Sequence, residues 1–264
     1  MRIKLAWLVI CALSTVVSAQ NLDCKPDPLN RTQILDNNDP SSYTCYMEMR
    51  RGWTNTTLGT GILIHPRVVL TAGHNTAFFM FSKSFPFVFS SVKNVTLYFG
   101  STDEDNYIIK QNVRLKKGKT KFFSDGYWLS PKIEDDFSII ILPDDSVYRA
   151  LGGHFIVKPM TSETDIDGPI NITGSPGDKD KFQIWTAHTN NFAVNGSKLS
   201  YDIFTAPRNS GSPIWFKNAN NEYQIAGVHS RGTKGIGCNS AVFINKKTYD
   251  TIVEWCATAG IDFE

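Results

Sequence analysis

The chain has 264 residues, with Lys+Arg 27 against Asp+Glu 25, a formal net charge of +2, and 41% hydrophobic and 20% charged residues. This apolar content and charge balance exclude an intrinsically disordered chain and remove the electrostatic basis for binding nucleic acid or another polyanion. The length suits one or two domains, and an all-β protein of this size is often a single unit built from two similar halves.

Arg2 and Lys4, the apolar run from Leu5 to Val17 and the small residues Val17-Ser18-Ala19 read as a secretory signal, residues 1–19, cleaved after Ala19. No later run reaches the roughly 18 to 20 consecutive apolar residues of a membrane span, so the expectation is a secreted, extracellular protein with no membrane attachment. Cys11 leaves with the signal. The remaining Cys24, Cys45, Cys238 and Cys256 are an even set, which in an oxidising compartment favours disulfides over a metal site. Three pairings are open, and proximity in sequence favours Cys24 with Cys45 and Cys238 with Cys256. Asn30, Asn55, Asn94, Asn171 and Asn195 each begin an N-x-Ser/Thr sequon, the mark of a glycoprotein on a eukaryotic secretory route.

From Gln20 to about Thr44 the chain is polar and rich in Asn, Asp and Pro, and residues 20–33 read as a pro-segment or an N-terminal arm. Short β-branched and aromatic runs follow, predicting strands at Gly61–Ile64, Val68–Leu70, Val95–Phe99, Tyr107–Ile109 and Phe137–Leu142. A second set covers Phe155–Val157, Asn171–Thr173, Phe182–Trp185, Ile214–Phe216, Tyr223–Val228 and Ala241–Ile244. One helix is expected, from Lys246 to Ala259, where Tyr249, Ile252, Val253 and Cys256 recur at spacings of three and four. The pattern is all-β with a C-terminal α-helix, in two halves that suggest two barrels joined near Pro143 to Gly153.

Three local signatures occur in the order His, Asp, Ser. Thr71-Ala72-Gly73-His74 delivers an imidazole at the end of an apolar strand, and Asp136-Phe137-Ser138 places an acid at the mouth of another. Asn209-Ser210-Gly211-Ser212-Pro213 sets a serine among turn-forming residues, where backbone can present a hydroxyl and free N–H groups together. A serine hydroxyl is a poor nucleophile near neutral pH and needs a base, and the base needs an acid to orient it. His65, His154 and His188 show no metal-ligand spacing, so neither a metal nor another cofactor is expected.

These motifs resemble those of the chymotrypsin-fold serine proteases, most of all the bacterial-type glutamyl endopeptidases. The likeness extends to Gly59–Leu70, to Thr173-Gly174-Ser175-Pro176-Gly177-Asp178-Lys179 and to Tyr201-Asp202, and covers roughly Ile34 to Trp255. It implies two six-stranded Greek-key β-barrels, at 34–148 and 149–245, followed by the helix at 246–259. It implies a monomeric serine endopeptidase acting on protein or peptide substrates, with His74, Asp136 and Ser210 catalytic, and Asp136 preferred over Asp135 as the acid. The backbone N–H groups of Arg208 and Ser210 would form the oxyanion hole. Arg208 departs from the family, which usually has Gly there, and Pro207 replaces a small residue. Both support the alternative of a catalytically weak homologue that binds or regulates other proteins.

Phe204 stands where trypsin-like enzymes keep an Asp, so a basic substrate side chain would meet no counter-charge. Thr205 and His229 match the positions that bind the substrate carboxylate in glutamyl endopeptidases, with His229 charged when the carboxylate arrives. Ser230-Arg231-Gly232 resembles the segment that pairs with substrate backbone as an added strand. In that branch the mature N-terminal amine also helps to hold the acidic side chain, and Gln33–Asp39 resembles such a start, implying processing near Arg31 or Thr32. Asn209, a neutral amide, cannot form the buried ion pair that an Asp makes in digestive zymogens.

Overall fold

The computed structural model describes residues 22–263 apart from 37–39, 52–54, 83–84, 124–131 and 234–236. The expected signal sequence, 1–19, lies outside these residues. The first half contributes β1 (Thr32–Gln33), β2 (Thr44–Arg51), β3 (Asn55–His65), β4 (Val68–Thr71), α1 (Gly73–Thr76), β5 (Ala77–Ser82), β6 (Phe85–Ser91), β7 (Asn94–Phe99), β8 (Ile109–Arg114), β9 (Lys121–Phe123) and β10 (Ser138–Ile141). The second adds α2 (Ser146–Leu151), β11 (Ile170–Gly174), β12 (Trp185–Thr189), β13 (Phe192–Asn195), β14 (Lys198–Tyr201), β15 (Pro213–Lys217), β16 (Tyr223–Arg231), β17 (Asn239–Phe243) and α3 (Lys246–Thr258).

Two curled antiparallel sheets result. One has seven strands in the order β8-β7-β2-β3-β4-β10-β9, the other eight in the order β1-β12-β11-β15-β16-β17-β14-β13, and β5 pairs only with β6. Against six strands expected in each barrel, the two sheets hold seven and eight among the described residues. In the second sheet one of the additions is β1, which lies along β12 with Thr32 opposite Thr186 and so covers a sheet edge.

Alternation explains the inward faces. In β2, Cys45, Met47 and Met49 enter the main core, whereas Tyr46 turns to the opposite face, where it meets Tyr98 and Phe182 in a separate cluster. The central strands β4 and β10 are buried at every position, as expected for strands covered on both faces. Asn245 caps α3 by accepting from Thr248 N–H at 2.9 Å, and Ile252 and Cys256 are buried on the inner face.

Several expected strands shift. Phe155–Val157 makes only the isolated bridge Ile156–Gln224. Phe182 adopts φ +69°, which breaks an extended run there, and the strand starts at Trp185. The disulfide joins Cys24 to Cys238, 214 residues apart, and leaves Cys45 and Cys256 as buried thiols. Pairing of neighbours in sequence was therefore the wrong guide. Cys24 lies in the arm ahead of β1 and Cys238 just before β17, while Cys45 faces the core of the first half beside Gly61 and Met47.

Candidate active site

Strand β10 runs antiparallel to β4 with Ser138 opposite Thr71, so the residues following β4 and those preceding β10 emerge at one end of the sheet. Gly73 allows the two segments to touch, since a Cβ there would lie 3.1 Å from both Asp136 Oδ1 and Phe137 N. The His74 ring meets the Asp136 carboxylate through Nδ1, at 2.8 Å from Oδ2 and 3.1 Å from Oδ1, and the His74 backbone N–H donates to Oδ1 at 2.9 Å. Ser230 Oγ donates to Oδ2 from β16. Asp136 is fully buried. Burial works against its charge, but the His74 imidazole, the Ser230 hydroxyl and the His74 amide outweigh it and hold the carboxyl below the usual range. Asp136, not Asp135, is thus the acid that meets His74.

The Ser210 segment is fastened to the same place. Its carbonyl accepts from Thr60 N at 3.0 Å and from Asn75 Nδ2 at 2.8 Å, and Asn75 is the residue after His74. Gly211 N donates to His229 O at 2.8 Å and His229 N to Ser212 O at 2.9 Å, which ties the turn to β16. Gly211 has φ +88°, and a Cβ would sit 2.1 Å from Thr60 O, so only glycine fits. Arg208 holds φ +77°, in the left-handed region that glycine favours, and its carbonyl accepts from Thr60 Oγ1 at 3.0 Å. Among the described residues the N–H groups of Arg208 and Ser210 have no acceptor. Eight buried side-chain polar atoms lack a partner among those residues, and five of them belong to Ser175, Thr205, Arg208, Asn209 and Ser212, around this turn.

No family model matches the chain. The glutamyl endopeptidase of Staphylococcus aureus strain MW2 is 32% identical over 117 residues, covering 43% of this chain and 34% of that protein. The counterpart from strain MRSA252 gives the same identity over 31% of its length. The chain thus spans about a third of the length of the curated relatives it matches. Among solved structures, a Glu endopeptidase in complex with MPD aligns over 89% of this chain and 99% of its own, with TM-score 0.69 and 22% identity. The protease Anisep from Arthrobacter nicotinovorans aligns over 83% and 98%, with TM-score 0.65 and 11% identity. The chain has the chymotrypsin-like serine protease fold and resembles the glutamyl endopeptidases.

His229 is held against the Ser210 turn by its backbone bonds to Gly211 and Ser212. His229 is buried, and Tyr201 Oη lies 2.5 Å from its Nδ1. Burial pushes the Tyr201 phenol well above its ordinary value, so the phenol keeps its proton and donates it to Nδ1. The His229 proton is therefore placed on Nε2. Burial, with the neighbouring His74 adding to it, pushes His229 down to about 3. In this structure the ring is therefore neutral. Thr205 Oγ1 is buried without a partner, and a Cβ at Gly232 would lie 2.7 Å from it.

Other expected residues take different places. The Ser230 hydroxyl is used on Asp136. Strand β15 pairs with β16 only as far as Val228, so beyond that point no strand among the described residues continues on that side of Ser230, Arg231 and Gly232. Arg231 and Gly232 are exposed. Phe204 is half-buried beneath the arm, with the Arg31 guanidinium 4.7 Å above its ring. Sequence reasoning missed Thr60 and Asn75 as supports of the turn, and also Lys121. That buried lysine donates from Nζ to Thr76 O at 3.2 Å, at the end of the helix carrying His74, and to Val92 O at 3.1 Å, and burial lowers it to about 8. Thr60 and Asn75 carry no sequence signal of their own because their work is done by contacts with Ser210, 135 or more residues away in sequence.

Proposed function

We propose that this chain is a secreted serine endopeptidase that hydrolyses peptide bonds through an acyl-enzyme. His74 Nδ1–H is oriented by Asp136, which leaves Nε2 to take the Ser210 proton as the hydroxyl attacks the scissile carbonyl. The same imidazolium then returns the proton to the leaving amine, and Asp136 stabilises its charge. The oxyanion is met by the N–H groups of Arg208 and Ser210, each such donor being worth about 3 kcal/mol of barrier in well-studied enzymes. The observation that carries this reading is the convergence of a bonded His74–Asp136 pair with a serine turn whose two N–H groups are unspent.

A preference for Glu or Asp before the scissile bond follows from Thr205 Oγ1 and His229 Nε2. Both can donate to a carboxylate, whereas nothing there supplies the charge that a Lys or Arg side chain would need. On this reading the Ser230–Gly232 segment receives the substrate backbone as an added strand. Incubating the protein and its Ser210→Ala variant with a diverse peptide mixture, and mapping the new termini by mass spectrometry, tests both points. Ser210-dependent cuts after Glu and Asp are expected. Cuts after apolar residues would remove the carboxylate pocket, and no Ser210-dependent cut would remove the enzyme.

A further inference from the structure

The arm and the serine turn meet at one small structure. Residues Pro176–Lys179 form a tight turn closed by Lys179 N–H donating to Pro176 O at 3.3 Å. From one side Arg31 grips it, with Nη1 and Nη2 donating to the two Asp178 carboxylate oxygens at 2.9 and 2.6 Å. Arg31 is itself fixed: Nε donates to Pro28 O at 3.0 Å, the guanidinium lies over Phe204, and only 5% of the side chain is exposed. From the other side Arg208 grips the same turn, its Nη2 donating to the carbonyls of both end residues, Pro176 and Lys179. Contact is close, since a Cβ on Gly177 would lie 2.6 Å from Pro207 O. Thr60 Oγ1 completes the fastening by accepting from Ser175 N at 3.2 Å and donating to Arg208 O.

We propose that Arg31 and Arg208 are positioning residues that clasp the Pro176–Lys179 turn from its two sides, so that the amino-terminal arm remains part of the working protein and holds the oxyanion turn in shape. The inference rests on the reading of Arg208 and Ser210 N–H as oxyanion donors. It also gives the Arg at 208 a physical role. A residue with a Cβ at φ +77° carries a conformational cost that glycine does not. The inward guanidinium offsets that cost with charge-assisted hydrogen bonds and holds the peptide where its N–H faces the site. The arm is retained on the same account: Cys24–Cys238 tethers it covalently, β1 pairs it to β12, and Ile34 N donates to Ile184 O at 2.8 Å. Its Arg31–Thr32 peptide, at the start of a paired strand with the arginine side chain buried, is not presented for cleavage.

The test uses the full secreted chain with Arg31→Gln, Asp178→Asn, Arg208→Ala and Arg208→Gly. Two readings are taken: kcat and KM on a Glu-containing peptide, with sites counted by fluorophosphonate labelling, and deuterium uptake of the 204–212 segment. Loss of the clasp is expected to lower kcat per labelled site by about tenfold with KM within about twofold, because an oxyanion donor acts on the transition state. A merely structural role would lower the number of labelled sites and leave kcat per site unchanged. Deuterium uptake at 204–212 is expected to rise in Arg31→Gln and in Asp178→Asn, which removes the same ion pair without altering the arm. Because glycine accepts the left-handed turn unaided, Arg208→Gly is expected to lose less activity than Arg208→Ala, and Arg31→Gln to matter less in its background. Unchanged uptake at 204–212, or an Arg31→Gln effect of equal size in both backgrounds, overturns the clasp. Wild-type protein that takes no fluorophosphonate overturns the endopeptidase reading instead, and uptake then still decides whether the clasp exists.

Discussion

Ser230 offers the sharpest perturbation of the candidate triad. Its hydroxyl donates to Asp136 Oδ2, and this carboxylate is fully buried, so Ser230→Ala deprives a buried charge of one of its donors. A hydrogen bond to a buried charged group contributes about 1.5–3 kcal/mol. A destabilisation of about 2 kcal/mol is expected, or roughly 4–8 °C in Tm for a chain of this size. The Asp136 carboxyl is depressed in the folded state, so its stabilising contribution is complete above the unfolded carboxylate value of about 3.9 and is lost as pH falls through the folded one. The gap between wild type and Ser230→Ala should accordingly be full at neutral pH and close on acidification. Urea unfolding at a series of pH values measures this, and peptide hydrolysis by the same samples should fall about tenfold as His74 loses part of its orientation. A variant that matches wild type in both stability and turnover at pH 7 would refute the assignment of Ser230 to the acid.

Three further outcomes follow from the buried groups. Unfolded His229 takes up a proton below about 6.5, whereas the folded residue does not until about 3, so stability should fall with pH across that window by up to about 1.4 kcal/mol per pH unit. His229→Asn should flatten this slope in urea titrations, and equal slopes would show that His229 is not the group responsible. Alkylation in denaturant without reductant should modify Cys45 and Cys256 and spare Cys24 and Cys238; any other pattern contradicts the disulfide found here. In the native state both thiols should resist alkylation, since burial pushes Cys256 up to about 12 and Cys45 higher still. Thr205→Val keeps the shape of the side chain while removing the hydroxyl, and should weaken cleavage after Glu by about tenfold with little change in stability, measured as kcat/KM on matched peptides.

The parts of this molecule legible in its sequence are those whose signal is local. Val68–Leu70 and Phe137–Leu142 are continuous apolar runs because their strands are covered on both faces, and the α3 pattern shows its one buried face directly. Strand β2 was harder to see, since Glu48, Arg50 and Arg51 interrupt it, although Cys45, Met47 and Met49 already carried the two-residue period. His74, Asp136 and Ser210 were legible because each sits in its own short signature. Their supports were not: Thr60, Asn75, Ser230 and the Arg31–Asp178 pair act across 94 to 148 residues of sequence, and only the folded chain brings them together. The disulfide is illegible in the sequence for the same reason, since Cys24 and Cys238 lie 214 residues apart and meet only in the folded chain.

The most direct measurement is to treat the protein with a fluorophosphonate and locate the adduct by mass spectrometry, alongside the His74→Ala variant shown to be folded. A single adduct on Ser210, lost or strongly slowed in His74→Ala, is predicted, because only a serine activated by that imidazole reacts at neutral pH. No adduct on folded wild-type protein, or one on Ser210 that forms equally fast without His74, would contradict the account.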